Sequence, residues 1–351
     1  MLSALIKRLA RGPSATEALE AGRRALESGD AQKAGGLLTR AAQQAPGNAE
    51  CAFYAGLAQY RLNAFGEALR WFERAIAANP ASAEYRYQAA AAEYMLDRTD
   101  AAIRRCEEAL ARDENHTLSH YLLARLRLPG PPYTELLGAI HQRLAPRTYV
   151  EIGISTGRSL AQVLPGTRVV GIDPAPKLAA APPPNVQVHA LRSDEYFAIR
   201  DLREDLGGLP VDLAFIDGAH VFEQALRDFI NIERCSTPQS TILLHDTYPL
   251  DRYTAQREHH SVFWSGDVWR LVLILKKYRP DLTVANVASS PTGLCIVRSL
   301  DPQSRVLAES HDSIVEEYLA VDYSVLDADK PGLLNLYPND VERVLGLVTS
   351  G

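Results

Sequence analysis

Alanine returns every 34 residues in the first third of this chain. Ala34, Ala68 and Ala102 keep that spacing, and so do Ala41, Ala75 and Ala109. Gly22 and Gly56 share one register with Ala90, while Leu38, Phe72 and Cys106 share another, and Pro46 returns as Pro80. Each unit reads as two amphipathic helices closed by a proline-containing turn, with small residues where the helices cross. One such pair cannot bury its own apolar face, so the units must stack into a solenoid. The pattern covers residues 15–116, about three repeats, and Thr117–Leu128 follows as another helix. It predicts an all-α domain over 1–128. The competing reading is an alanine-rich helical bundle with accidental spacing.

These positions resemble the tetratricopeptide repeat, which has a small residue in its first helix, alanines around a larger packing residue in its second, and a turn proline. The third unit departs from the pattern, with Glu114 where proline is expected. The resemblance implies a protein partner. Tyr54, Tyr60, Tyr85, Tyr87 and Tyr94 either line a concave peptide groove or pack between helices.

Pro129-Gly130-Pro131-Pro132 ends the helical pattern, because proline cannot continue a helix and restricts the residue before it. A helix is expected over Tyr133–Leu144. Short apolar runs then alternate with longer amphipathic segments: Thr148–Ile152, Arg168–Ile172, Val186–Ala190, Val211–Ile216 and Thr241–Leu244. Strand–helix alternation predicts a parallel sheet covered on both faces, with ligands beyond the carboxyl ends of the strands. Two last strands, 282–287 and 294–298, are joined by the turn Ser290-Pro291-Thr292-Gly293.

Polar residues at strand ends therefore carry the functional argument. The first strand runs into Glu151-Ile152-Gly153-Ile154-Ser155-Thr156-Gly157. Its glycines let backbone approach a ligand and expose N–H groups at the start of the next helix. A dinucleotide site calls for G-x-G-x-x-G; this loop has one glycine fewer and an acid within the strand, which suits an amino-acid ammonium better than a pyrophosphate. Asp173 ends the second strand, 20 residues after Gly153, where it can accept from ribose hydroxyls or cap its own turn. Ser193 and Asp194 follow the third strand, placed either to reach an adenine edge or to cap a helix.

Charge and cysteine exclude several classes. Residues 1–128 carry 17 Lys+Arg against 15 Asp+Glu, and residues 129–351 carry 20 against 28. This is the reverse of a nucleic-acid binder's clustered basic surface. No run of apolar residues is long enough to span a membrane. The first dozen residues are apolar and basic but lack an h-region and a small-residue cleavage site, so no secretory signal is expected. Cys51, Cys106, Cys235 and Cys295 stand far apart without zinc spacing, which predicts reduced thiols and a cytoplasmic protein.

Taken in order, residues 133–300 resemble the class I S-adenosylmethionine-dependent methyltransferases. They are similar in particular to the group of macrolide-sugar and cephamycin O-methyltransferases. The marks are Phe215-Ile216-Asp217-Gly218-Ala219-His220, Leu244-His245-Asp246-Thr247-Tyr248-Pro249 and Trp264-Ser265-Gly266-Asp267-Val268-Trp269. The resemblance implies a Rossmann-like α/β fold, a mostly parallel seven-stranded sheet with an antiparallel last strand. It implies S-adenosyl-L-methionine as cofactor, held by Glu151, Gly153, Ser155, Gly157, Asp173, Ser193, Asp194 and Asp217.

The acceptor implied is a small-molecule or glycan hydroxyl. Catechol-type O-methyltransferases carry a lysine where His220 stands. An imidazole titrates near neutrality, so His220 is expected as general base, with His245 second; the alternative is a structural bond from His220 to nearby backbone. Metal-dependent relatives hold Mg²⁺ or Mn²⁺ with acids or amides at the positions of Asp217, His245 and Asp246. His245 departs from that set, and without a metal His245 and Asp246 would orient substrate.

Arg252, Tyr253, Arg257, His259 and His260 form either a lid or a solvated loop, and Trp269 is expected in the core. Residues 301–351 are a C-terminal extension with helices at 314–319 and 340–348 and no assigned role. The rival to an enzyme is an interaction scaffold whose methyltransferase-like domain binds cofactor without turnover.

Overall fold

The computed structural model describes residues 13–259 and 262–349. The expectation for the first dozen residues and the one for His260 lie outside the described residues. The chain divides into two compact units, 1–127 and 128–351.

The first unit is built of α1 (Ala15–Glu27), α2 (Ala31–Gln44), α3 (Ala49–Arg61), α4 (Phe65–Ala78), α5 (Ala83–Tyr94), α6 (Thr99–Leu110) and α7 (Thr117–Arg127). Volume complementarity explains the periodic small residues. A Cβ on Gly22 would lie 2.4 Å from Leu38 Cγ, and one on Gly56 would lie 2.5 Å from Phe72 Cε1. In the third unit the larger residue shrinks to Cys106, and the small position becomes Ala90; both are fully buried in one cluster. Glycine is therefore required only where its partner is Leu or Phe.

Two further registers of the same period are structural. Ser14, Asn48 and Ser82 accept from the backbone N–H three residues on, capping α1, α3 and α5. His116 Nδ1 does the same for Ser119 at 3.3 Å. Gly29, Asn63 and Asp97 all take left-handed backbone between the helices of a pair, with φ of 81°, 59° and 57°.

Most of the tyrosines pack inward. Tyr85 stacks on Phe53 at 4.7 Å and Tyr60 meets Phe65 edge-on at 5.1 Å. Tyr54, with Arg23 over its ring at 4.8 Å, lines a groove of about 230 Å³ together with Leu26, Glu27, Leu57 and Arg61.

The second unit carries an eight-stranded sheet in the order β3-β2-β1-β4-β5-β7-β6-β8. Its strands are β1 (Thr148–Ile152), β2 (Arg168–Ile172), β3 (Val186–His189), β4 (Leu213–Ile216), β5 (Thr241–His245), β6 (Thr283–Val287), β7 (Leu294–Arg298) and β8 (Leu336–Tyr337). β1 to β5 are parallel, and β7 runs antiparallel to both β5 and β6. The main helices are α8 (Tyr133–Leu144), α9 (Ser193–Ile199), α10 (Phe222–Arg234), α11 (Trp269–Tyr278), α12 (His311–Leu319) and α13 (Val341–Thr349).

Two features go beyond the seven-stranded expectation. β8, only two residues long, adds an eighth strand parallel to β6. Val344, Leu345 and Val348 of α13 join Leu136, Leu137 and Ile140 of α8 in the core over Tyr149, Leu213 and Ile296. The last fifty residues therefore complete the hydrophobic layer on one face of the sheet. Cys51, Cys106 and Cys295 are buried free thiols, and Cys235 is partly buried. Among the described residues no helix is long and apolar enough to cross a membrane.

Candidate active site

Parallel strands deliver their carboxyl ends to one edge of the sheet, and that edge is acidic. β1 runs into the loop 153–157. Gly153 has φ +89°, and a Cβ there would lie 1.9 Å from the carbonyl oxygen of Asp217, so the β1 and β4 loops touch only because this residue is glycine. Ser155 also adopts left-handed backbone (φ +48°), and its N–H donates to Asp173 Oδ2 at 2.7 Å. The Ala175 N–H donates to Asp173 Oδ1 at 2.7 Å. Asp173 is thus both turn cap and clamp on the loop, and its carboxylate keeps acceptor capacity beyond these two bonds.

Glu151 stands within the first strand, as the sequence pattern places it, but its carboxylate is enclosed. It is fully buried inside β1, with Oε2 accepting from the Tyr149 hydroxyl at 2.8 Å and Oε1 from the Ser159 hydroxyl. Burial pushes its carboxyl up to about 7 against those hydrogen bonds. It is an anchor beneath the loop rather than an open ammonium acceptor. The helix expected after the loop is a single 3₁₀ turn, Leu160–Gln162, because Pro165-Gly166 soon breaks the chain. Gly157 donates its N–H back to Ile154 at 2.8 Å.

Ser193 and Asp194 begin α9, but Arg192 occupies the N-cap position. Both are instead gripped by α10: Gln224 Nε2 donates to Ser193 Oγ at 3.0 Å and to Asp194 Oδ1 at 3.1 Å. Sequence reasoning missed Gln224, which carries no motif signal. It also missed Asp228, which with Glu233 is one of two acids among the buried residues of α10.

The register of β4 against β5, Ile216 beside Leu244, brings Asp217 next to His245. His245 Nδ1 is 3.0 Å from Asp217 Oδ1 and 3.3 Å from Asp246 Oδ2. His220 Nε2 is 3.2 Å from Asp246 Oδ2 and 3.6 Å from Asp217 Oδ1. His220 and Asp246 both hold left-handed backbone, with φ of 53° and 60°. Such conformations in non-glycine residues persist where the surroundings enforce them, often at functional sites.

Ionisation follows from these distances. Burial works against the charge on His220, yet Asp246 and Asp217 outweigh it and raise its pKa to about 9. Its Nδ1 lies 3.1 Å from the Trp264 carbonyl oxygen, which only an N–H can satisfy. His220 is therefore an imidazolium at neutral pH, with both nitrogens donating. His245, buried against the Tyr133 ring at 4.3 Å, is likewise raised well above its ordinary value: burial opposes the charge, and Asp217 and Asp246 prevail. Asp217 is held far below the usual carboxylate range, since the two imidazoles overcome its burial. The acids at this edge thus favour the charged form of both imidazoles. The general-base role expected of His220 and His245 needs one of them to lose a proton first.

Asp217, His220 and Asp246 present ligand atoms all within 4.8 Å of one another. One nitrogen and two carboxylates suit Mg²⁺ or Mn²⁺ once His220 is neutral. The imidazole in this compact set is His220, whereas the expected set contained His245.

A cover lies over His220. The Trp264 ring stacks on His220 at 5.1 Å and 20°, and His259 meets Trp264 edge-on at 4.9 Å. Gly266 has φ +60°, and a Cβ there would lie 1.8 Å from the His220 carbonyl oxygen. Arg257 ties the cover down through Glu223 and through Asp267 Oδ2 at 2.8 Å. Trp269 is a core residue, 1% exposed.

Residues 150–247 match the family model of a methyltransferase domain, and residues 25–94 match that of the tetratricopeptide repeat. No curated protein matches the chain. Among solved structures, the chain is similar to the first TPR of Spaghetti (RPAP3) bound to an HSP90 peptide. That match is 21% identical, covers 32% of this chain and 90% of that one, and has a TM-score of 0.32. It is also similar to MamA (19% identity, 34% and 70% covered, TM-score 0.32). A third is the first TPR domain of human RPAP3 (21% identity, 32% and 89% covered, TM-score 0.31). A tetratricopeptide-repeat region followed by a methyltransferase domain is what this chain carries.

Proposed function

We propose that the second unit is an S-adenosylmethionine-dependent O-methyltransferase acting on a sugar, glycan or other hydroxylated small molecule. We further propose that the repeats recruit a protein partner or the acceptor. The observation that supports this reading most is the meeting of Asp217, His220 and Asp246 at the carboxyl edge, beside the glycine loop and under an aromatic cover.

The donor set fits a cationic nucleoside that offers hydroxyl and amino donors. Asp173, Asp194 and Asp217 are acceptors at three successive loops of that edge, and the 153–157 loop would run along the ligand's amino-acid end. S-adenosylmethionine supplies a methyl group on a sulfonium, which is already strongly electrophilic. The protein's part is to align a hydroxyl and remove its proton.

Asp217, the partly exposed carboxylate of the cluster, accepts the hydroxyl hydrogen bond. His220 takes the proton in its neutral form, so turnover rises towards the alkaline side. A divalent ion held by Asp217, His220 and Asp246 would take the His220 Nε2 lone pair itself, and would then replace the imidazole's base role by lowering the pKa of a bound hydroxyl. On the repeats, the groove at Arg23, Tyr54, Leu57 and Arg61 is the surface proposed for the partner.

Calorimetry of the full chain with S-adenosylhomocysteine, followed by methyl-release assays on a glycoside panel, tests the reading. Binding with turnover on a hydroxyl acceptor supports it. Binding without turnover on any acceptor favours the scaffold reading, and no binding overturns both. Loss of activity with EDTA, restored by Mn²⁺, would assign the metal.

A further inference from the structure

Asp228 is a carboxylate that the mechanism above leaves unused. It sits on α10, 1% exposed, with Oδ1 accepting from Gln224 Nε2 at 3.1 Å. Its Oδ2 makes no hydrogen bond of good geometry among the described residues, although the Ser193 hydroxyl lies near enough to the carboxylate to oppose the rise that burial imposes on its pKa. Buried polar atoms are almost always satisfied, and an ionised oxygen most of all. Asp228 lines a small cavity of about 10 Å³ beneath the 217–220 loop, together with Asp217, His220, His245 and Asp246. Asp246 Oδ2 also lacks a hydrogen bond of good geometry, although His220 Nε2 stands 3.2 Å and His245 Nδ1 3.3 Å from it. Gly218 lies next to this carboxylate: a Cβ there would stand at ordinary van der Waals distance, 3.7 Å, from Asp228 Oδ2.

A space of this size holds about one water, and a buried water requires two to four polar partners. We infer that one water is bound in this cavity, donating one proton to Asp228 Oδ2 and the other to Asp246 Oδ2. Asp228 then acts as a positioning residue. Through the water it fixes the carboxylate that faces His220, and through Gln224 it links that carboxylate to Ser193 and Asp194 on the neighbouring loop. The water joins the α10 side of the site to the β5 side. Only the functional sense of this positioning rests on the methyl-transfer reading; the bound water does not.

The test uses the full chain without cofactor or acceptor, so a failed methylation assay leaves it intact. A crystal structure at atomic resolution, from crystals grown in EDTA, is expected to show one water within about 3.2 Å of both oxygens. A dry cavity would overturn the inference, as would a metal ion at coordination distance or a direct protein donor on Asp228 Oδ2. Asp228→Asn supplies an independent readout. The His220 imidazole N–H resonances in a ¹⁵N spectrum are expected to shift, while backbone amides away from the cavity stay in place. Imidazole resonances unchanged in a folded variant would remove Asp228 from the positioning role. If the variant does not fold, the crystal structure decides.

Discussion

The two units solve the same problem, burying apolar surface, by opposite means. In the repeats each helix touches its neighbours in sequence, and one set of local rules serves several times: a cap, a left-handed turn residue and a small residue matched to a large one. In the α/β unit the decisive contacts join distant residues. Gly153 touches the Asp217 carbonyl, Gly266 touches that of His220, and α13 completes the core over α8. Damage should therefore stay local in the first unit and spread in the second.

The largest contrast is expected from Gly153→Arg. The side chain would have to enter backbone at a position that also needs φ +89°, so the loss should exceed about 4 kcal/mol. Hydrogen exchange followed by mass spectrometry is expected to show peptides of 128–351 unprotected and those of 15–127 unchanged. Protection retained throughout 128–351 would mean the β1 and β4 loops do not meet as described.

Next come the repeats. Gly56→Ala alone forces a methyl against the Phe72 ring and should cost about 1–3 kcal/mol. In a Phe72→Cys background, which copies the Ala90–Cys106 pairing, the same change should cost far less. A double-mutant cycle in urea is expected to give a coupling of about 1 kcal/mol or more. Simple additivity would refute the volume-matching account.

The pH response sharpens the comparison further. His220, raised from 6.5 to about 9, contributes stability that is full below 6.5 and lost as pH rises through 9. Glu151, raised from 4.5 to about 7 by burial, also binds its proton more tightly when folded, so stability falls as pH rises from 4.5 to 7. His141, buried and lowered to about 4, works the other way, losing stability as pH drops from 6.5 to 4. Thermal melts of the second unit should weaken steadily between pH 6.5 and 9. Equal melting temperatures at pH 6.5 and 9 would show that His220 is not held as an imidazolium.

The smallest effect belongs to Arg252→Ala. Its pairs with Asp322 and Asp327 are exposed, so stability should change by no more than about 0.5 kcal/mol. A larger loss in a denaturant titration would make this stretch of the cover as tightly integrated as the core.

Much of the fold was legible because it is periodic. The 34-residue recurrence marked the helix pairs, and the apolar runs marked the strands to within a residue or two, with β4 starting at Leu213 rather than Val211. The candidate site was legible in outline, since strand-end acids stand out once the sheet is parallel. Three things were not. Glu151 looked like an open acceptor, and only the positions of Tyr149 and Ser159 reveal that it is capped from within. The helix after the glycine loop failed to form for want of length before Pro165. The tail from 301 onward carried no motif, yet β8 and α13 belong to the sheet and its core.

By itself the sequence determined most of what depends on spacing along the chain: the repeat helices, the first seven strands, where the repeats turn, and which acids stand at strand ends. Tertiary structure alone decided the protonation of His220, the companion set of Asp217 and Asp246, and the burial of Asp228. These depend on distances between residues tens of positions apart. Coulomb energy and desolvation vary with separation in space, and spacing in sequence does not encode that separation.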